Sequence, residues 1–190
     1  HREPDGLQLK GPDGPAGKNT VSNKQFSKHR GAELMARTDP QGKIALVASA
    51  GGHLSQLLML RDAWAERAHF YITTRRAEVG TFEGDAPFYR VTEAGRQWPG
   101  RVMRSALECA RILREERPDV IISTGAATGC IACALGKMMG ARVVWIDSIA
   151  NVDRLSLAGR IALRFADLFL TQWPELARAH QRASYSGAVV

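Results

Sequence analysis

A doubly wound, Rossmann-like parallel α/β sheet is the fold this sequence predicts, and three observations predict it. From Lys43 onward, short aliphatic or β-branched runs alternate with longer amphipathic segments, the pattern of strand-helix-strand units. Several of the runs end in loops rich in glycine, serine or aspartate, where ligands bind in such sheets. The 190 residues, 45% of them apolar, supply one ordinary core and not two large ones.

The strands are expected, in order, at "KIALVAS", "HFYITT", "FYRVT", "DVIIST", "RVVWID", "DLFLT" and a short last "SYSGAV". Helices are expected between them at about 53–66, 99–117, 127–139, 156–166 and 174–182. The second opens on Pro99 and stops before Pro118, as helix boundaries do. Its apolar positions Met103, Ala106, Leu107, Ala110 and Leu113 follow helical spacing and are expected to face the core. Arg101, Arg104, Arg111 and Arg114 are left for the other side. Another helix begins at Pro174.

Residues 1–42 hold six glycines, four prolines and scattered apolar residues, too little apolar surface to offset the cost of ordering a backbone. They read as a flexible tail, with a short helix around "GAELMAR" as its one structured element. The ordered domain is 43–190. No stretch reaches the ~20 continuous apolar residues of a membrane span. The chain begins at His1 rather than Met, so an upstream anchor or signal stays open.

The net charge of +7 points to an anionic partner: nucleic acid, a membrane surface or a phosphorylated ligand. No groove-binding motif accompanies it, which argues against nucleic acid. Cys109, Cys130 and Cys133 form no even-numbered framework, which fits a reducing compartment. The "CIAC" pair lacks a second pair of ligands and a strand-to-helix nucleophile position, so two small buried helix residues are expected.

Three strand-end loops concentrate the chemistry. In "SAGGHLS", Gly51 and Gly52 let backbone approach a ligand, and the helix that follows offers unpaired N–H groups. That is an anion cradle, although a tight turn requires the same residues. Neither G-x-G-x-x-G nor G-x-x-x-x-G-K-S/T is present, which disfavours an NAD or P-loop site. His53 stands where a neutral imidazole takes a proton from a hydroxyl, or where a loop histidine braces its neighbours. "STGAATG" repeats the arrangement with Ser123, Thr124, Gly125 and Gly129, for ligand contact or close helix packing. "IDSIANVDRLSLAG" carries Asp147, Ser148, Asn151, Asp153 and Arg154, as a binding loop or a solvated connection capped by Ser156. No D-x-D pair or His–carboxylate cluster has metal spacing, so no metal or other cofactor is expected.

Together these loops resemble a known family. "VASAGGHLSQLLML", "RPDVIISTGAATG", "DSIANVDRLSLAGRIALRFADLFLTQW" and "YSGAVV" follow the order seen in the acceptor-side subunit of bipartite GT-B glycosyltransferases. That group includes the asparagine-linked glycosylation subunit that helps add the second N-acetylglucosamine to dolichol-linked sugar, and bacterial PssD-type relatives in polysaccharide synthesis. The resemblance spans about 43–190 and is similar to the amino-terminal domain of MurG. It implies a half-enzyme, inactive alone, that binds a polyprenol-linked saccharide acceptor. A separate donor-binding glycosyltransferase subunit would take the UDP-sugar, consistent with a chain that stops where the linker to a second domain would begin. His53 would be the catalytic base. Ser49, Gly51, Gly52, Thr124, Gly125, Asp147, Ser148 and Arg154 would line the acceptor and its pyrophosphate. The arginine face of the 99–117 helix would meet an anionic membrane surface, on the cytoplasmic side, where each basic residue contributes about 1 kcal/mol. The eukaryotic members carry an N-terminal anchor, and the polar tail here fits a bacterial, peripheral member better. A non-catalytic scaffold that anchors and activates the donor subunit is the alternative. The donor sugar, whether N-acetylglucosamine, glucuronic acid or galactose, is not written in this half.

Overall fold

The computed structural model describes residues 42–75, 86–95 and 97–188; the expected tail and its "GAELMAR" helix lie outside these, save for Gly42. Seven strands form one sheet in the order β3-β2-β1-β4-β5-β6-β7. They are β1 (Ile44–Ala48), β2 (His69–Thr74), β3 (Phe88–Val91), β4 (Val120–Ser123), β5 (Arg142–Ile146), β6 (Leu168–Thr171) and β7 (Ala183–Tyr185). All six pairings are parallel. The helices are α1 (Gly52–Leu58), α2 (Pro99–Glu116), α3 (Ala126–Met138), α4 (Leu157–Ala162) and α5 (Pro174–Ala179).

The sheet is covered on both faces, which is why β1 reads as an unbroken apolar run and is buried throughout. Ala45, Val47, Phe70, Ile72, Ile121 and Val143 point to a core shared with α2, α3, α4 and α5. The alternate residues Ile44, Leu46, Val120, Ile122 and Val144 pack instead against Leu54 and Leu57 of α1 and the buried Trp64. β1 pairs with β2 on one side and β4 on the other. Strand order reverses between β1 and β4, so their carboxyl ends frame the crevice where doubly wound sheets bind ligands.

Helix ends follow local chemistry. Pro99 occupies the first turn of α2, and Arg117 closes the helix in the left-handed region (φ 45°) just ahead of Pro118. Ser156 caps α4 by accepting the Gly159 N–H at 2.8 Å, as its sequence position implies. Three helices are shorter than their patterns. After Leu58 the chain tightens, Leu60 N–H bonding back to the Leu57 carbonyl, and a 3-10 turn at Arg61–Ala63 replaces the expected continuation to 66. α4 stops at Ala162 and α5 at Ala179, where the chain turns toward β6 and β7.

The expected core face of α2 holds in part: Ala110 and Leu113 are buried as expected, but the packed face is rotated away from Met103 and Leu107. Ser105, Cys109, Ala110, Ile112 and Leu113 are buried, while Met103 and Leu107 are 63% and 65% exposed. Packing against α3, which itself sits very close to the sheet, turns the row of Ser105, Cys109 and Ile112 inward. A Cβ on Gly129 would lie 2.2 Å from Ser123 Oγ, and one on Gly136 2.0 Å from Ile121 Cδ1. The three cysteines are buried and free, in line with a packing role. Burial pushes the Cys109 thiol up to about 12, the Cys130 thiol up from its usual range and Cys133 higher still.

Candidate functional site

The loops after β1 and β4 are locked to each other across 71 residues of sequence. The Thr124 hydroxyl donates to the His53 backbone carbonyl at 2.6 Å. In return the His53 ring approaches the Thr124 carbonyl through Nδ1 at 2.9 Å. A carbonyl only accepts, so Nδ1 carries the proton, and in the neutral ring the Nε2 lone pair is left available. The ring lies close to Gly125, whose φ of +128° few side chains adopt; a Cβ there would come within 2.8 Å of His53 Cε1 and 2.9 Å of Nδ1. Gly125 is thus required twice, for its backbone and for the histidine it accommodates. Its own N–H bonds Ser123 Oγ at 3.2 Å.

On the β1 side, Ala50 N–H bonds Thr74 Oγ1 at the end of β2 (3.0 Å), which anchors the turn before Gly51 leaves it at φ +89°. Gly51 and Gly52 are exposed and nothing lies within 4 Å of a Cβ at either, so their backbone faces open space rather than a packed neighbour. Ser49 is buried at the end of β1. Of the predicted residues, the structure therefore brings Ser49, Gly51, Gly52, His53, Thr124 and Gly125 together at the β1–β4 crevice.

The third loop is built differently. Asp147, 1% exposed, spends its carboxylate inside its own loop. Oδ1 accepts from Trp145 Nε1 (3.2 Å) and the Ser156 hydroxyl (3.0 Å), and Oδ2 accepts from Asn151 Nδ2 (3.1 Å) and the Ser156 N–H (3.4 Å). A Cβ on Gly159 would lie 2.5 Å from Oδ1, so this glycine is needed for α4 to reach the carboxylate. Ser148 Oγ receives the Ala150 N–H at 3.3 Å. Asp147 and Ser148 thus organise the loop, while Asp153 and Arg154 reach solvent. Sequence reasoning missed the residues that hold this loop from β6. Gln172 Nε2 donates to the Asp147 carbonyl (3.0 Å) and to Gln56 of α1 (3.2 Å), and Trp173 Nε1 donates to the Ile149 carbonyl (2.8 Å). Their signal was position, directly after a strand.

Glu108, also unremarked in the sequence, ties β2, β3 and α2 together beside this edge. Its carboxylate takes the Thr92 N–H and hydroxyl, Arg104 and Arg75. Burial pushes its pKa up, but the Thr92, Arg104 and Arg75 hydrogen bonds together hold it below the usual carboxylate range.

Two concave cavities, of about 590 and 680 Å³, lie at the opposite, amino-terminal edge of the sheet. Arg114, Arg117 and Arg142 line the first, where the α2 and α3 carboxyl ends present negative partial charge that guanidinium groups offset. They hold no grouping of nucleophile, base and orienting residue, so the β1–β4 crevice is the better candidate despite being open. Among the described residues no cluster of His, Cys, Asp and Glu is arranged to hold a metal, and no helix is long and apolar enough to cross a membrane.

A parallel sheet with a crevice at the β1–β4 switch is the architecture of one lobe of the two-lobed GT-B fold. MurG of Acinetobacter baumannii superimposes with a TM-score of 0.64 at 12% identity, over 76% of this chain and 45% of that one. The UDP-GlcNAc 2-epimerase of Neisseria meningitidis gives 0.59 at 11% identity, over 77% and 47%. At such identities the likeness establishes the fold and nothing further. The chain belongs to the family described as oligosaccharide biosynthesis protein Alg14 like, whose pattern matches residues 90–189. It is 38% identical over 110 residues to the UDP-N-acetylglucosamine transferase subunit ALG14 of Yarrowia lipolytica, covering 53% of this chain and 51% of that protein. With the human subunit of that name it shares 25% identity over 178 residues, 77% and 82% of the two chains. The match thus spans about half the length of the Yarrowia relative.

Proposed function

We propose that this chain is the acceptor-side half of a two-component glycosyltransferase. A separate subunit binds a UDP-sugar, and the sugar passes to a polyprenol-pyrophosphate-linked saccharide at the cytoplasmic face of a membrane, to which this chain is peripheral. The observation that carries the reading is the His53–Thr124 clamp at the switch point, with Nδ1 committed and Nε2 available. In the proposed step Nε2 removes the proton from an acceptor hydroxyl as its oxygen bonds to the anomeric carbon of the donor. The bond from that carbon to the diphosphate oxygen breaks, and UDP leaves with the bonding pair. The exposed Gly51 and Gly52 backbone, with Arg154 at the rim, would face the acceptor's pyrophosphate. The relatives' shared designation as a UDP-N-acetylglucosamine transferase subunit supports both a partner and N-acetylglucosamine as the donor sugar.

A scaffold role is the second reading, favoured by the fact that a His53 serving only to brace the Thr124 loop would make the same bond. Reconstitution with the donor subunit separates the two. His53→Ala should lower turnover by about 10²-fold or more if the ring is the base. Near-normal turnover of that variant would leave the scaffold, and full activity of this chain without a partner would refute the two-component reading.

A further inference from the structure

The amino-terminal edge of the sheet, opposite the crevice, holds two basic cavities that share the end of α3. Arg114, Arg117 and Arg142 line the cavity of about 590 Å³, and Lys137, Arg164 and Arg182 line that of about 680 Å³. The last turn of α3 borders both, Gly136 and Met139 on the first and Lys137 on the second. That turn leaves Met138 83% exposed and Met139 42% exposed. Two carboxylates face the six cations, and both are engaged with their own chain. Asp119 accepts the Lys43 N–H at 2.8 Å, and Asp167 accepts from Lys137 Nζ at 2.6 Å and the Val143 N–H at 2.8 Å. The Arg114, Arg117 and Arg164 guanidinium groups form no ion pair among the described residues. The carboxyl ends of α2, α3 and α4 bring about half a negative charge each, which is too little to balance the excess. Arg117 stands at φ 45°, in the left-handed position after a helix that glycine usually takes, so a cation is held there at a cost to the backbone.

We infer that this edge is a docking surface for an acidic segment of another protein, whose Asp and Glu side chains pair with the arginines of the two cavities while an apolar side chain seats on Met138 and Met139. Arginine and methionine are residues that protein interfaces favour. A planar guanidinium pairs a carboxylate through two hydrogen bonds, and an unbranched methionine moulds to an apolar partner. Two concavities beside a projecting turn suit a chain that can dip into them, and not the flat surface of a bilayer. A bilayer seated here would also turn the β1–β4 crevice away from lipid, because the crevice lies at the other ends of the same strands, about 16 Å along the five residues of β1. Phe165, the one aromatic residue lining either cavity, is half-buried, which leaves no platform on which nucleic-acid bases could stack. Residues 1–41 enter β1 beside Asp119 but hold seven Lys or Arg against five Asp or Glu, so the chain's own leading segment is not the charge complement. Since the two edges are separate, such a partner and a donor subunit can be bound together. The inference goes beyond the proposed transfer and does not depend on it.

The test is fluorescence anisotropy of a short labelled peptide of Asp and Glu interrupted by two leucines, titrated with the full chain at about 0.15 M salt. Saturable binding is expected to this peptide and not to its Asn/Gln counterpart, and it should weaken as salt rises to about 0.5 M. Arg114→Gln with Arg117→Gln should weaken it by about tenfold, roughly threefold per exposed pair. Met138→Ser should weaken it by about threefold to tenfold. Arg101→Gln with Arg111→Gln makes the same charge change on the outer face of α2 and should leave binding within about twofold. With carbon-13 at the methionine methyls, the Met138 and Met139 signals should shift on adding peptide while Met103 does not, which locates the contact even if a variant misfolds. Absence of binding to the acidic peptide, equal loss in the two arginine pairs, or an unmoved Met138 signal each overturns the inference. So does binding of phosphatidylglycerol vesicles or duplex DNA through Arg114 and Arg117 in place of the peptide. Sugar transfer by the reconstituted pair should be unchanged by the Arg114/Arg117 variant. If the peptide binds as described while no donor subunit confers activity, the proposed function fails and the docking surface stands.

Discussion

Replacing Gly125 by alanine tests the geometry on which the candidate site depends. The residue has φ +128° and ψ −159°, a conformation nearly confined to glycine that costs an L side chain about 1–3 kcal/mol. The new methyl would also stand 2.8 Å from His53 Cε1 and 2.9 Å from Nδ1, so the ring must move off the Thr124 carbonyl. Losing that hydrogen bond costs a further 0.5–1.5 kcal/mol, in round terms about 1. Together the variant should be destabilised by about 2–4 kcal/mol. Urea unfolding measures the first part. Nitrogen-15 correlation spectra of the histidine ring measure the second, because the neutral wild-type ring should carry its proton on Nδ1 and the variant should lose that preference. Gly100→Ala is the control: it is a helical position with nothing within 4 Å of the added carbon, and it should raise stability by about 0.5–1 kcal/mol. A Gly125→Ala protein within about 0.5 kcal/mol of wild type, with the Nδ1 proton still in place, would refute the argument.

Asp147→Ala strands the Trp145 indole N–H, Asn151 and Ser156 and should cost about 2–4 kcal/mol, read from the shift in urea midpoint. Glu108 has a folded pKa below its unfolded one, so its stabilisation is complete above the unfolded value and is lost as pH falls through the folded value. Acid titration of stability should show that loss below about pH 4.3, and Glu108→Gln should flatten it. The buried thiols, raised by burial, should resist a disulfide reagent at pH 8 in the native protein and react in denaturant; rapid native labelling of Cys109 or Cys133 would contradict the packing described.

Much of the fold was legible because it is written locally. Each strand is a short apolar run, and Pro99, Pro118, Pro174 and Ser156 mark helix ends by chemistry that acts within a few residues. The crevice residues were legible for the same reason: Gly51, Gly52, His53, Thr124 and Gly125 follow strands directly, and a parallel sheet gathers strand ends at one edge. The phase of α2 was legible only in part, Ala110 and Leu113 being buried as expected, because Met103 and Leu107 are as apolar as Ile112. Only the close seating of Gly129 and Gly136 on the sheet decides that the row of Ser105 and Cys109 turns inward. At Asp147 the sequence shows a carboxylate at a strand end and not the indole, amide and hydroxyl that bond to it.

By itself the sequence determined the order of the elements, the strand-end loops and the family likeness, since each depends on residues near one another in the chain. Tertiary structure alone decided that His53 and Thr124, 71 residues apart, hold each other, that Gln172 braces the Asp147 loop from the next strand, and that α2 presents methionine, leucine and arginine outward. Those outcomes depend on which strands become neighbours and how closely helices can approach them, and such distances exist only once the chain is folded.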